Sequence, residues 1–338
     1  MTEAAVATEP KRGSWRQLAF ALAAFLLLPL IPIVRSIVPI EQTLLLIVPG
    51  VAVCALIGWK LGGRAALAFI WIVLSAWMLL QHAGPAGTPY DKMARGWVML
   101  LVASFGAVSL WSTATPFFVR ALTAIGLAAG VGFAIALSSP GGVDRVKHAV
   151  GDELTRRSGE SIEALHQLAA SPTWVGWSKK SPSLDEVAER SEAQLRDVPE
   201  YAANLLPALL ALESLAALAI AWALYHRLSP VPVGPPLGPF KEFRFNDQLV
   251  WGLAVGATLC LLPSFVEGKN AGLNLLLFFG GLYLTRGLGV MAWMSRGRIL
   301  FIVVVLMAFL APPILGVLAI GLGLGDTWLD WRRRARTT

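Results

Sequence analysis

Residues 117–138 have the sequence FFVRALTAIGLAAGVGFAIALS, in which Arg120 is the only charged residue. A helix that crosses the hydrocarbon core of a bilayer, about 30 Å thick, needs roughly 20 apolar residues in succession. This stretch meets that requirement, and its backbone must be helical because lipid offers no water to unpaired backbone groups. The sequence therefore predicts a transmembrane helix here.

Comparable apolar runs recur along nearly the whole chain. Of its 338 residues, 56% are apolar and 14% are charged, a composition that does not suit a soluble protein. A ninth run, 299–329, would be about 45 Å long as one helix, and Pro312 and Pro313 divide it in two. We therefore expect an all-α fold, a polytopic transmembrane bundle of about 8–10 spans. The first eight predicted spans are residues 17–38, 43–60, 65–82, 96–113, 117–138, 201–227, 247–265 and 271–294.

Basic residues divide unequally between the two predicted faces of the membrane. Fifteen lysines and arginines lie at one set of span ends and four at the other. Because basic loops are retained in the cytoplasm, this split predicts that both termini lie inside and residues 140–200 outside. We expect a multi-pass protein of the bacterial cytoplasmic membrane, with the lipid bilayer as its surroundings. The net charge of +7 has the same origin, so no nucleic-acid partner is expected.

Residues 140–200 differ in kind from the apolar runs. They contain eight basic and eleven acidic residues, with valines and leucines at helical spacing. This pattern predicts amphipathic helices that lie on the membrane surface or cap the bundle. The chain thus divides into 1–139 with about five spans, this extramembrane segment, and 201–338 with further spans and a basic cytoplasmic tail.

Four groups of residues in the C-terminal part of the chain carry a resemblance to a known family. The segments are NLLPALL (204–210), FKEFRF (240–245), NLLL (274–277) with LTRGL (284–288), and LGLGDTWLDW (322–331) followed by arginines. In this order they resemble those of the YybS family, bacterial multi-pass membrane proteins grouped as a domain of unknown function. The resemblance covers roughly 40% of the chain, with weaker similarity over residues 40–80.

The resemblance implies the helical fold of the S components of energy-coupling-factor vitamin transporters, and with it a ligand-binding or transport role. S components usually have six spans, whereas this chain has more spans and an inserted extramembrane segment. No vitamin-contacting motif of an S component can be placed on this sequence, so the resemblance assigns no site residue. Fold alone does not determine function.

Two charged residues lie near the middle of predicted spans, Glu213 in the sixth and Arg286 in the eighth. A charge in the bilayer centre costs at least about 3 kcal/mol, so each should face the bundle interior and find a partner. The simplest arrangement is that they pair with each other. In a functional interpretation, the two residues line a polar pocket for an anionic or zwitterionic ligand, or a proton path. In a structural interpretation, they form a buried ion pair that fixes helix register.

Asp326 and Asp330 lie four residues apart, on one face of the last predicted helix. Two carboxylates on one face could bind a divalent metal, but no third ligand is visible. Arg332 and Arg333 follow closely and offer charge-assisted hydrogen bonds. We expect a salt network at the helix end.

The sequence contains no recognisable catalytic site, metal site or cofactor motif. The P-loop, Gly-x-Ser-x-Gly and His-Glu-x-x-His patterns are absent, and the four histidines lack metal-ligand spacing. Cys54 and Cys260 lie in apolar runs, where thiols behave as small hydrophobes and no disulfide is expected. These observations argue against an ATPase, a common hydrolase or a zinc protease.

Two functions remain open at this point. The first is a non-enzymatic membrane protein whose S-component-like core binds or transports a small-molecule ligand or binds a partner membrane protein. The second is a structural or assembly factor of the cell envelope, in which the outer segment docks another protein. A third, an intramembrane transferase acting on lipid, lacks the paired carboxylates or basic phosphate clamp that such chemistry needs.

Overall fold

The computed structural model describes residues 14–81, 87–181, 183–262, 268–294 and 310–332, together with 302, 304, 306 and 307. Within these residues the fold is helical and contains no strand, which confirms the predicted all-α class. Twelve α-helices have described bounds. They are α1 Trp15–Leu27, α2 Pro32–Ile37, α3 Leu44–Lys60, α4 Ala65–Leu80, α5 Pro89–Trp111, α6 Phe117–Ser138, α7 Gly142–Ala169, α8 Pro172–Ser178, α9 Ser183–Leu228, α10 Val250–Leu261, α11 Lys269–Met294 and α12 Pro312–Leu329.

Four of these helices, α5, α6, α9 and α11, are long and apolar enough to cross a membrane. Five shorter apolar helical stretches accompany them in the described part of the chain, including α3 and α4. The architecture is that of an all-α helical membrane bundle. Most of the first half of the predicted ninth run, 299–311, lies outside the described residues, and α12 begins at the predicted break, Pro312.

The predicted first span, 17–38, is not one continuous helix. α1 ends at Leu27, a short 3₁₀ turn covers Leu28–Leu30, and Ile31 has an extended backbone (φ −78°, ψ 123°) before α2 begins. Pro29 lies in the 3₁₀ turn and has no N–H with which to continue the hydrogen bonding of α1. Pro32 disfavours helical geometry in the residue before it, Ile31. Sequence hydropathy alone does not register this interruption.

The described residues fall into two compact units. Unit 1 comprises residues up to Asn204 together with Glu213–Leu237, and unit 2 comprises Leu205–Leu212 with residues from Gly238 onward. α9 therefore contributes to both units and continues without a break through the predicted boundary at residue 200. The division into residues 1–139, 140–200 and 201–338, with the middle segment outside the membrane, remains a prediction.

The core of unit 1 is built on α3. Most of its residues are buried, in contrast to the exposed apolar surface of α4. A Cβ atom at Gly50 would come within 2.9 Å of Ala221 Cβ, so the glycine permits close approach of α3 to α9. Such packing of small residues is how helices associate where the solvent is lipid.

Arg120 lies in the first turn of α6 and its side chain packs inside unit 1. It is fully buried in unit 1, with its Nη2 donating to the carbonyl oxygens of Ser112, Thr113 and Thr115 at 3.0 to 3.2 Å. Its guanidinium lies 4.8 Å from the ring centroid of Trp222. The arginine therefore ties together the turn that joins α5 to α6.

Helices occupy the charged segment 140–200, as its periodicity predicts. α7 and the first part of α9 run antiparallel, joined by hydrogen bonds from Ser158 Oγ to the Leu195 carbonyl and between His166 Nε2 and Glu192 Oε2, with α8 at the tip. We call residues 142–200 the α7–α9 hairpin. α9 has 46 residues, or about 70 Å at 1.5 Å per residue, so it extends well beyond a bilayer core of about 30 Å.

Unit 2 consists of α10, α11, α12 and the adjoining part of α9. α11 and α12 approach at backbone contact, because a Cβ at Gly287 would lie 1.7 Å from the Ala319 carbonyl oxygen. A Cβ at Gly323 would lie 2.2 Å from the Tyr283 carbonyl oxygen. This approach places Arg286 of α11 next to the C-terminal part of α12.

Candidate functional site: a charged cavity beside Glu213

A polar cavity of about 480 Å³ opens in unit 1 where three segments meet. α2 ends before Val38, whose backbone is extended (ψ 125°), and the following residues form a loop up to the start of α3. We call residues 38–43 the cavity loop. The first turn of α5 and the middle of α7 complete the walls. The lining residues are Arg35, Pro39, Ile40, Glu41, Gln42, Leu45, Thr88, Tyr90, Asp91, Ala94, Glu153, Arg156, Arg157 and Glu160.

The cavity loop is held by hydrogen bonds from three helices. Glu213 Oε2 of α9 accepts from the Ile40 backbone N–H at 3.0 Å. Tyr90 Oη of α5 donates to the Pro39 carbonyl oxygen at 2.5 Å. Arg157 Nη1 of α7 donates to the Val38 carbonyl oxygen at 2.8 Å. Side chains of these helices thus satisfy backbone groups of the loop that would otherwise lack hydrogen-bond partners.

Three arginines and three glutamates alternate around the cavity wall. Arg157 Nε lies 2.8 Å from Glu153 and 3.3 Å from Glu41, and Arg35 Nε lies 2.9 Å from Glu41. Arg156 also pairs with Glu153, at 2.6 Å. Glu160 closes the network by accepting from Arg35 at 3.1 Å and from Arg156.

The centre of this network is withdrawn from solvent. The Arg157 side chain is 4% exposed and that of Glu153 is 9% exposed. Burial acts to raise the pKa of Glu153, but hydrogen bonds from Arg156 and Arg157 outweigh it, so the net pKa is lowered. The site therefore keeps an ionised carboxylate at its centre at neutral pH.

Glu213, predicted as a site residue, adjoins the cavity through Ile40. Its second oxygen, Oε1, is buried and has no hydrogen-bond partner among the described residues. The neighbouring Ser214 accepts a hydrogen bond from Trp97 Nε1 at 3.0 Å, which fixes this turn of α9 against α5. Glu213 is thus a positioned carboxyl group with one free acceptor atom.

Arg286, the predicted partner of Glu213, has two carboxylate partners of its own in unit 2. Its Nε lies 3.0 Å from Asp326 and its Nη1 lies 2.7 Å from Asp247. Glu213 and Arg286 are placed in different units, each with different partners, so their mutual pairing stays a prediction. The structure brings Arg286 together with a residue of the predicted helix-end network instead.

That network surrounds Asp326, whose side chain is fully buried. Arg332 donates to Asp326 at 2.5 Å and also to the carbonyl oxygens of Lys241 and Phe243. Asp330 pairs with Arg244, which also lies 3.7 Å from Asp326. Of the four residues predicted for this network, Arg333 lies outside the described part of the chain.

The residues of the cavity wall were not singled out from the sequence. Glu153, Arg156, Arg157 and Glu160 lie on one face of α7, but so do many solvated ion pairs on amphipathic helices. The available signal was their combination with Arg35 at the end of the first span. Only the fold shows that these charges converge. Within the described residues, no three His, Cys, Asp or Glu side chains are grouped as a metal site.

The comparison with protein families bears on the C-terminal part of the chain. Residues 175–327 match DUF2232, a family described as a predicted membrane protein. This agrees with the resemblance to the YybS-like membrane proteins. The DUF2232 segment contains Glu213, Arg286 and Asp326, whereas the cavity-wall residues of α5 and α7 precede it. No curated protein and no solved structure matches the chain, so the S-component-like core remains a prediction.

Proposed function

We propose that this membrane protein is non-enzymatic and binds a small zwitterionic ligand in the charged cavity of unit 1. The observation that carries the proposal is the convergence of three arginines and four carboxylates, from three separate segments, on a space of about 480 Å³. That volume lies in the range of small-molecule sites. The charged side chains that line it are Arg35, Glu41, Asp91, Glu153, Arg156, Arg157 and Glu160.

The existing ion pairs define the charge that the ligand should carry. Arg35, Arg156 and Arg157 are each paired with glutamates. A purely anionic ligand that took an arginine would leave a glutamate without its counter-charge, which is costly in a partly buried site. A zwitterionic ligand can offer a negative group to the arginine and a positive group to the glutamate, so neither side chain loses its counter-charge. The cavity therefore favours a compound that brings one positive and one negative group.

The cavity faces outward in the proposed topology. With both termini in the cytoplasm of a bacterial cell, the loops before α3 and after α6 lie on the outer side. A ligand would then enter from outside the cell. In this arrangement the protein captures a solute for uptake, in keeping with the role that a likeness to S components implies.

Binding can be tested with purified protein in lipid nanodiscs. Small molecules that copurify are identified by mass spectrometry, and zwitterionic compounds are screened by thermal shift. We expect a hit whose affinity falls at least tenfold in Arg156→Gln, since this arginine pairs with two cavity glutamates. Arg190→Gln on the exposed face of α9 is the matched control and should bind normally. Equal binding by both variants would contradict the proposal.

A second function, docking of an envelope protein, is favoured by the α7–α9 hairpin. Large apolar side chains are exposed near its tip: Leu168, Val175, Trp177 and Val187. Copurification of wild type and Trp177→Ser, followed by protein mass spectrometry, tests this alternative. A partner that is lost in the variant while zwitterion binding is absent from wild type would favour docking over ligand capture.

A further inference from the structure

Two carboxylates in apolar helices of this protein have very different surroundings. Asp326 accepts hydrogen bonds from two arginines, Arg286 and Arg332, and lies 3.7 Å from a third. Glu213 accepts one hydrogen bond, from the Ile40 backbone, and no arginine or lysine of the described residues forms an ion pair with it. The charge on Asp326 is compensated, whereas a charge on Glu213 would not be.

The charges around Glu213 lead to the same conclusion. From α7, Arg157 is close enough to act on it electrostatically, but this guanidinium already pairs with Glu153 and Glu41. From α5, Tyr90 faces the same region through its hydrogen bond to Pro39. These neighbours supply no spare positive charge. A low-dielectric site penalises an uncompensated carboxylate, so a cation must be bound there or the carboxyl group must be neutral.

We propose that Glu213 is a proton-binding site, and that its proton is exchanged with the outer side through the charged cavity. Oε2 stays bonded to Ile40, and Oε1, which has no partner among the described residues, carries the proton. Because Ile40 lines the cavity and donates to Glu213, loss of the proton changes the charge held next to the cavity wall. Resting on the proposed function, this makes ligand capture proton-linked, as in uptake driven by a proton gradient.

The position of Glu213 along α9 suits this role. It lies fifteen residues before the end of the helix at Leu228, about 22 Å at 1.5 Å per residue. In the proposed topology Leu228 lies at the cytoplasmic side, so in a core about 30 Å thick Glu213 lies in the outer half. A proton would need to pass only the cavity loop to reach it.

The proton site can be tested without knowing the ligand. Dicyclohexylcarbodiimide enters lipid and adds to protonated carboxyl groups, giving a stable N-acylurea that retains every atom of the reagent. We expect this adduct on the Glu213 peptide by mass spectrometry, with a yield that falls as pH rises. Asp326 serves as an internal control, because it is a buried carboxylate that is ionised by its arginines, and should remain unlabelled.

The outcomes separate this proposal from the proposed function. Absence of the adduct on Glu213 at every pH, or equal labelling of Asp326, would overturn the proton site whatever the ligand screen finds. Protection of Glu213 by sodium chloride but not potassium chloride would identify a sodium site and would also overturn it. Labelling of Glu213 together with an empty ligand screen would leave the proton site standing and contradict ligand capture. With both present, the affinity of the ligand should change at least tenfold with pH in wild type and stay constant in Glu213→Gln.

Discussion

Glu213 in unit 1 and Asp326 in unit 2 are both acidic residues in apolar helices, but they differ in the number of hydrogen-bonding and charged partners. Asp326 lies at the centre of a cluster of arginines, one of which, Arg332, also donates to backbone carbonyls. Among the described residues, Glu213 accepts a hydrogen bond only from one backbone N–H, and its other oxygen has no partner. A buried charge with several partners holds helices together. A carboxylate with almost no partners has an unfavourable free energy of burial, which we explain by function.

The largest effect should follow from Asp326→Asn. The change leaves Arg286 and Arg332 buried without their shared counter-charge, and we expect the free energy of unfolding to fall by about 3–5 kcal/mol. Reversible unfolding in mixed micelles would measure it. Asp330→Asn is the control, since Asp330 and its partner Arg244 are both about one-third exposed and should contribute at most about 1 kcal/mol. Equal losses in the two variants would mean that Asp326 has no special structural role.

Arg157→Gln should have the next largest effect. This side chain joins α7 to the cavity loop through the Val38 carbonyl and pairs with Glu153. Loss of buried, charge-assisted hydrogen bonds should lower the free energy of unfolding by about 2–3 kcal/mol. Hydrogen exchange should then increase in residues 38–43 but not in α12. Unchanged exchange in the loop would show that Glu213 and Tyr90 hold it without Arg157.

A smaller effect is expected from acid. Because the pKa of Glu153 is lowered in the fold from its ordinary value of 4.5, its ionised form stabilises the protein above that value. This contribution is lost as pH falls through the lower folded-state pKa. The melting temperature of wild type should therefore drop by a few degrees more than that of Glu153→Gln when pH is lowered below 4.5. Parallel acid curves for the two proteins would contradict the assignment.

Hydropathy and charge patterning were sufficient for the class of protein, most of the helices and the helical nature of segment 140–200. They also identified Glu213 and Arg286 as unusual, because charge in an apolar run is visible without a structure, and Asp326, because it shares a helix face with Asp330. They did not show the break at Ile31, which depends on two prolines within an otherwise apolar run. Local geometry of this kind is not encoded in average hydrophobicity.

The sequence did not show which residues the charged side chains contact. Arg286 pairs with Asp247, thirty-nine residues away, and with Asp326, forty residues away. The second pairing is possible because α11 and α12 touch at Gly287. Likewise Glu213 meets Ile40 across 173 residues of chain. Such contacts depend on how helices pack, and helix packing in lipid depends on small residues and shape rather than on a pattern that one sequence reveals.

The unfolding free energy of Glu213→Gln tests the central contrast most directly. Glutamine is close in shape to a neutral glutamic acid and can still accept the hydrogen bond from Ile40. If Glu213 is a proton site and not a structural anchor, the variant should unfold within about 1 kcal/mol of wild type, far from the loss expected for Asp326→Asn. A loss for Glu213→Gln as large as that for Asp326→Asn would show that the Glu213 charge is structural, and would contradict the account.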